Sequence, residues 1–275
     1  MAASPAAAWP DKVLIIGCGN MGGAMLAGWL AAGFAPTRFT VVDPGVAQAP
    51  AGVRLLREVP APDNAKSFDA VLLGIKPQLL DAVAPALAAL AGPDTVVLSI
   101  LAGVQLASLS TRLPGARTIV RVMPNLAAAI GKSPVVLVGN EGAKREAITA
   151  LMAPLGAPEW IADEGLFDAV TALVGSGPAF VYRFIAALAD GGAALGLPRE
   201  QAERMALAMV EGAGALAGQS PVGPEELARR VTSAGGTTAA GLKVLDDDDA
   251  LARLVTATLK AARDRGAEMA AAARG

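Results

Sequence analysis

Histidine is missing from all 275 residues, and cysteine occurs once, at Cys18. Without histidine, Ser-His-Asp hydrolysis, Cys-His proteolysis, His-ligated zinc and a histidine general base are all excluded. Any chemistry must come from other side chains or from a cofactor, and no metal is expected. A single cysteine forms no intrachain disulfide, which fits a reducing, cytoplasmic setting. An excess of either charge is lacking too: 23 Lys plus Arg stand against 25 Asp plus Glu, a net charge of -2, with a pI near 5.3. No global positive field draws the chain to nucleic acid or to an anionic membrane, and neither is expected as a partner. Long uninterrupted apolar runs are also scarce. The mean hydropathy of +0.48 arises largely from alanine, a strong helix former with little transfer energy per residue. Asp81 cuts the run 79–90, and Arg183 with Asp190 cuts the run 179–197, leaving none of the roughly 18 uncharged residues that a span needs. A soluble protein is expected. The leader 2–10 has neither a basic n-region nor an apolar h-region and reads as a frayed start.

The chain that remains has two textures. From Lys12 to about Trp160, short runs rich in Val, Ile and Leu alternate with helical stretches, at Val13–Ile16, Phe39–Val42, 71–75, 96–100, 118–122 and 135–138. That alternation is the pattern of βα units stacked around a mostly parallel sheet. From about Asp163 onward, long Ala, Leu, Glu and Arg segments are broken only by Gly177-Pro178, Gly196-Leu197-Pro198, 221–224 and Gly235-Gly236, which implies several helices and no sheet. The fold class is therefore an α/β Rossmann-type N-terminal domain, 1–160, followed by an all-α domain, 161–275. The segment 151–162, with Pro154, Gly156 and Pro158, is the expected boundary.

Gly17-Cys18-Gly19-Asn20-Met21-Gly22 matches G-x-G-x-x-G, follows the run Val13–Ile16 and opens a helix over 21–32. Gly17 permits the tight turn, Gly19 lets backbone approach a pyrophosphate and Gly22 lets the helix pack on the strand. The helix start then supplies free N–H groups and a dipole for the anion. Asp43 ends the second strand, about where an acidic residue accepts hydrogen bonds from an adenine ribose, favouring NAD over NADP. It equally fits a plain Asp43-Pro44-Gly45 turn. The nearest candidates to hold a 2′-phosphate are Asn64 and Lys66, with Arg54 and Arg57 further off. Lys76-Pro77 and Met123-Pro124-Asn125 fall at two more strand ends, where open α/β sheets place ligands. Lys76 has the reach for a cofactor ribose or phosphate or is a solvated loop charge, and Pro124 fixes backbone that would cup a nicotinamide carboxamide.

In the helical half, Gly175-Ser176-Gly177-Pro178 precedes a long helix with Pro178 at its first position. Over 224–246 one helix ends near Thr232 and another starts near Thr237, with Gly235-Gly236 between. A glycine-rich turn into a helix start, with the Thr237 and Thr238 hydroxyls beside it, suits a small carboxylate. The helices expected at 180–195, 202–216 and 251–262 are rich in alanine and carry few large side chains. They make a weak lone core, so burial against a second copy is expected.

Taken together, these strings resemble the pyrroline-5-carboxylate reductase family, from Val13 to about Met269. The most specific stretch is Val231-Thr232-Ser233-Ala234-Gly235-Gly236-Thr237-Thr238, followed by Gly241-Leu242 and Leu245-Asp246. The resemblance implies NADP or NAD, in reduced form, as hydride donor to L-1-pyrroline-5-carboxylate, giving L-proline. It also implies a helical domain that pairs subunits as homodimers, often assembled into decamers. Carried over by residue, Gly17, Gly19, Asn20, Met21 and Gly22 match the phosphate loop, Asn64 the adenosine side, Lys76 and Pro77 the strand-end pair, and Met123, Pro124 and Asn125 the nicotinamide side. Ser233, Gly235, Gly236, Thr237 and Thr238 match the substrate loop. The chain departs from the family at Leu126-Ala127, where threonine and proline are usual, at Ala234, where proline is usual, and at Asp43, where many relatives have a small neutral residue.

The absence of histidine agrees with this chemistry. A cyclic imine that enters protonated is already electrophilic, so orientation supplies most of the catalysis. Thr238 is assigned a hydrogen bond to the substrate carboxylate or ring nitrogen. Two alternatives stay open: another imine or hydroxyacid reductase, and a non-catalytic dinucleotide-sensing oligomer. The first, when built around a helix lysine, has only Lys243 and Lys260 available, and the second would have lost the intact Gly235-Gly236-Thr237-Thr238 loop.

Overall fold

The computed structural model describes residues 9–61, 68–140 and 144–272. Its strands, in chain order, are β1 (Val13–Ile16), β2 (Phe39–Val42), β3 (Arg54–Leu56), β4 (Ala70–Leu73), β5 (Val96–Ser99), β6 (Thr118–Met123), β7 (Ser133–Gly139) and β8 (Gly156–Trp160). They form one sheet in the order β3-β2-β1-β4-β5-β6-β7-β8. Every described neighbouring pair is parallel except β6 with β7. β1, β4 and β5 are buried along their whole length, as strands covered by helices on both faces must be, and they accordingly show continuous apolar runs instead of alternation.

Leu14 and Ile16 pack into one face with Leu80 and Leu87 of α2 (Leu80–Ala88) and Leu109 of α3 (Leu106–Arg112). Val13 and Ile15 pack into the other with Met25, Leu26 and Trp29 of α1 (Asn20–Ala31) and Ile148 and Leu151 of α4 (Arg145–Met152). The buried Trp29 ring stacks on Phe39, with centroids 5.6 Å apart, and its Nε1–H donates to the Leu151 carbonyl at 2.8 Å. This satisfies the indole's one donor.

β3 and β8 correct the sequence reading. β3 is three residues long and partly exposed, too short to show a period. β8 carries Pro158 and alternates between half-buried and exposed residues, as an edge strand can. It lies inside the segment expected to be a domain boundary. Beyond it, Phe167 of α5 (Phe167–Val170) and Val174 pack with Met123, Val136 and Val138. The chain accordingly divides into Met1–Gly175 with Ala262–Gly275, and Ser176–Ala261, whereas the sequence reading placed the break after residue 160.

The second unit is helical: α6 (Gly177–Ala194), α7 (Arg199–Gln219), α8 (Pro224–Arg230), α9 (Thr237–Asp246) and the first half of α10 (Ala250–Ala272). Its own buried cluster is small, Ala189, Ala202 and Ala206 with Ile185 and Leu188 against them. Phe184, Leu195, Met205 and Leu207 are exposed in the single chain. One helical run, Glu164–Ala194, is long and apolar enough to cross a membrane by length and composition, although Asp168, Arg183 and Asp190 interrupt it.

Candidate active site

The chain leaves β1, runs outward through β2 and β3, and returns to the other side of β1 with β4. Ile16 stands level with Val42 and Leu73, so the carboxyl ends of three strands open on one crevice at the point where the strand order reverses. Open α/β sheets bind ligands there. Gly17 has φ +87°, and a Cβ on it would lie 2.7 Å from the Gly74 carbonyl carbon and the Ile75 nitrogen. A Cβ on Gly22 would lie 2.6 Å from the Gly17 carbonyl oxygen. These are closures that no L side chain tolerates. Gly19 differs, because a Cβ there meets nothing within 4 Å. Gly19 is also the cap residue of α1, with no side chain capping the helix and no acidic residue in its first turn. Among the described residues no side chain caps the first N–H groups of α1, and the space beside Gly19 is open, a fit for an anion such as a dinucleotide pyrophosphate. Asn20 is exposed and Met21 half-buried at this turn.

Asp43 follows β2. Its Oδ2 accepts from the Cys18 N–H at 2.7 Å, and its Oδ1 from Gly45 at 2.8 Å and Val46 at 3.2 Å. The carboxylate thus makes the local turn and also ties it to the glycine loop. Oδ2 retains a lone pair for a further donor. Partial burial pushes the Asp43 carboxyl up, but the three backbone N–H groups and the nearby Arg57 outweigh it and hold the pKa below the ordinary value. A depressed folded-state pKa means that the stability carried by this turn is present above the unfolded value, about 4. It is lost as pH falls through the folded value.

Arg57, read from sequence as further off, belongs to this loop: its Nη1 donates to the carbonyls of Asp43 at 3.1 Å and Val46 at 2.5 Å. Only the three-dimensional return of β3 beside β2 brings it there. Asn64 and Lys66 lie outside the described residues.

Lys76 is exposed and immediately precedes the short 3-10 turn Pro77–Leu79, with Pro77 at its first position. Met123 ends β6, and Pro124 and Asn125 follow, all three buried. Asn125 is fixed at every polar group: its N–H donates to Ser133 Oγ at 2.9 Å, its Nδ2 to the Val174 carbonyl at 3.2 Å, and its Oδ1 accepts from Ala127 at 2.9 Å. Leu126, at the position of the departure from the family, is half exposed.

In the helical unit Gly235 has φ +71°, and Gly236 is the cap residue of α9, again without a side-chain cap or an acidic residue in the first turn. A Cβ on Gly236 would collide with Ser233 Oγ. The turn closes through a hydrogen bond from the Gly236 N–H to the Ser233 carbonyl at 3.0 Å. Ser233, Thr237 and Thr238 are exposed. Thr238 is the second residue of α9 and does not cap it. Among the described residues no three His, Cys, Asp or Glu side chains gather where they would hold a metal ion.

Residues 12–103 match the family described as NADP oxidoreductase, coenzyme F420-dependent, and residues 164–269 the family described as pyrroline-5-carboxylate reductase dimerisation. The pyrroline-5-carboxylate reductase of Pseudomonas aeruginosa is 38% identical over 267 residues, covering 94% of this chain and 97% of that protein. A pyrroline-5-carboxylate reductase structure from Coxiella burnetii is 29% identical and superposes with a TM-score of 0.86 over 94% of this chain and 98% of its own. The NADP-bound Plasmodium falciparum pyrroline carboxylate reductase, 24% identical, shares the fold with a TM-score of 0.82 over 96% and 99% of the two chains. With identity at that level along nearly its whole length, and with the glycine crevice and the uncapped helix start both present, the chain belongs to the pyrroline-5-carboxylate reductase family.

Proposed function

We propose that the protein reduces L-1-pyrroline-5-carboxylate to L-proline with NAD(P)H. The observation that carries the substrate is the Gly235-Gly236 turn into α9, an uncapped helix start with two exposed threonines and no acid in its first turn. Such a start favours one small anion. When bound, the reduced dinucleotide supplies the hydride. Residues 17–22 bind its pyrophosphate through the first N–H groups of α1, Asp43 orients the adenine ribose, and Lys76 with Pro77 borders the crevice. The adenosine-side role of Asn64 is carried by the family resemblance. Met123, Pro124 and Asn125 hold the nicotinamide side. Ser233, Gly235, Gly236, Thr237 and Thr238 bind the substrate carboxylate, with the Thr238 hydroxyl donating to that carboxylate or bonding the ring nitrogen. None of these groups is a strong acid, which suits an imine that arrives protonated and leaves orientation as the main source of rate. Following NAD(P)H absorbance with pyrroline-5-carboxylate and with a panel of oxo and hydroxy acids tests the reading. Turnover of the imine alone is expected, and turnover of a hydroxyacid without the imine would overturn it.

We place the enzyme in the cytoplasm as a homodimer, or a decamer of such dimers, joined through the helical unit. The exposed Phe184, Leu195, Met205 and Leu207 are the kind of apolar side chains that mark an association face, and the part of the run Glu164–Ala194 that lies in this unit meets a second copy there instead of lipid. Sedimentation in detergent-free buffer at micromolar concentration is expected to show a dimer or larger. A stable folded monomer would overturn that assignment.

Asp43 sets the cofactor preference in this reading. Its carboxylate repels a 2′-phosphate of about -2 charge, and at a partly screened site such repulsion changes affinity by roughly tenfold. Asp43→Ser is expected to shift the ratio of kcat/KM for NADPH over NADH upward by about that factor, helped by the Arg57 guanidinium that remains beside the loop. An unmoved ratio would reduce Asp43 to a turn residue.

A further inference from the structure

Arg121 is the one charged residue among the described residues that falls in the buried class, at 3% exposure. It stands on β6 two residues before Met123, so the two side chains leave the same face of the sheet. Its Nη1 donates to Glu164 Oε1 at 2.8 Å, and that oxygen also accepts the Leu106 N–H at 2.8 Å. The guanidinium carbon lies 3.9 Å from the Phe167 ring centroid. Its Nε, buried, has no hydrogen-bond partner among the described residues.

Stability does not account for this arrangement. Glu164 is only half-buried, and an ion pair that leaves one buried guanidinium donor unsatisfied is a poor way to hold a sheet, where well-packed apolar residues of similar volume commonly do as well or better. What the pair does determine is geometry. Glu164 and Phe167 open the segment 164–175, which closes in a π-helical turn over Thr171–Gly175. Single π turns are frequent at functional sites. Phe167 and Val174 pack on Met123, the Val174 carbonyl accepts the Asn125 side chain, and a Cβ on Gly175 would stand 3.2 Å from Met123 Sδ. The segment is thus pinned at its start by Arg121 and at its end by Asn125, and Met123 lies between the two pins.

We propose that Arg121 is a positioning residue for the turn formed by Met123, Pro124 and Asn125, acting through Glu164, Phe167 and Val174 to fix the surface against which the nicotinamide end of the cofactor lies. The inference rests on the dinucleotide reading above. It requires that Arg121 affect the nicotinamide end alone, because the pyrophosphate and ribose are held separately by residues 17–22 and Asp43.

The test is Arg121→Met, close in length and apolar, together with Glu164→Gln, which keeps the shape and the acceptor for Leu106 while removing the charge. For both, NAD(P)H affinity and the fluorescence lifetime of bound NAD(P)H are measured without substrate. Turnover of pyrroline-5-carboxylate is then followed with the cofactor bearing hydrogen or deuterium at the transferred position. Expected for Arg121→Met are a cofactor Kd within about threefold of wild type, a shortened lifetime, a kcat lower by about tenfold or more and a raised primary isotope effect, as chemistry becomes limiting. Glu164→Gln should move the same quantities less, and it decides alone if Arg121→Met does not fold. Folded variants with wild-type lifetime and isotope effect would overturn the proposal, as would a loss of activity that only follows Kd and melting temperature. A wild-type protein that binds cofactor without reducing the imine would sink the substrate reading and leave the lifetime to decide this one. Failure to bind either dinucleotide would overturn both.

Discussion

Gly19→Val is expected to leave the fold intact and to weaken NAD(P)H binding by a hundredfold or more. The first half follows from space: a Cβ at Gly19 meets nothing within 4 Å, and its φ of -71° is open to any L residue. Substitutions at such open positions usually stay within about 0.5 kcal/mol. The second half follows from what that space is for. The new side chain would occupy the opening beside the first turn of α1 and separate a pyrophosphate from the N–H groups that no side chain caps among the described residues. Each hydrogen bond to a charged group contributes about 1.5–3 kcal/mol. Losing two of them is roughly 3 kcal/mol or more, which is over a hundredfold in Kd. Gly17→Ala and Gly22→Ala supply the contrast, because their Cβ atoms would press on backbone at 2.6–2.7 Å and should lower stability as well as binding. The measurements are a fluorescence titration with the cofactor and a melting curve on the same three variants. A Gly19→Val protein that binds NAD(P)H like wild type would show that the crevice is not the pyrophosphate site.

That contrast among three glycines also marks what a reader of the sequence can and cannot obtain. The glycine spacing locates the loop, since it follows a strand and opens a helix, and β1, β2 and β4 to β7 are long enough in apolar residues to declare themselves. The roles of the three glycines are legible in the motif, and the closure at Gly22 is against the Gly17 carbonyl within the same loop. The contact that closes Gly17 is not local, because it depends on β4 returning beside β1 so that Gly74 meets it. β8 escaped for a different reason: Pro158 and its alternating exposure imitate a linker, although the strand completes the sheet through β7. Arg57 was legible as a charge and not as a neighbour of Asp43, because the loop it locks is closed by the pairing of β2 with β3. Arg121 sat in full view inside an apolar run. A charge within a strand that is otherwise buried signals a partner, yet Glu164 lies 43 residues away in a segment whose path no periodicity reveals. In the helical half, by contrast, the turn and the two threonines could be read directly, since a helix start and its cap are local structures.

Thr238→Ala is expected to lower kcat/KM for pyrroline-5-carboxylate by roughly 10- to 150-fold, corresponding to a hydrogen bond of about 1.5–3 kcal/mol to a charged partner. Cofactor affinity should not change, because the proposed binding mode holds the dinucleotide at residues 17–22 and at the carboxyl ends of β2, β4 and β6. A competing account is that Thr238 merely caps the helix, in which case its loss would cost about 1 kcal/mol of stability and little rate. The structure gives the capping position to Gly236 and records no side-chain cap on α9, while Thr238 is the helix's second residue and exposed. The melting temperature of Thr238→Ala should therefore stay near that of wild type, and alanine's higher helix propensity at that position favours the same outcome. Thr237→Ala, one residue earlier on the same exposed helix start, separates a specific hydroxyl from a general effect of the turn. A fall confined to Thr238→Ala assigns the contact to that side chain, equal falls in both would assign it to the two hydroxyls together, and no fall in either would leave it to the backbone N–H groups, which alanine retains. The role of Thr238 as substrate anchor does not survive a variant that melts earlier than wild type and still reduces the imine at the wild-type rate.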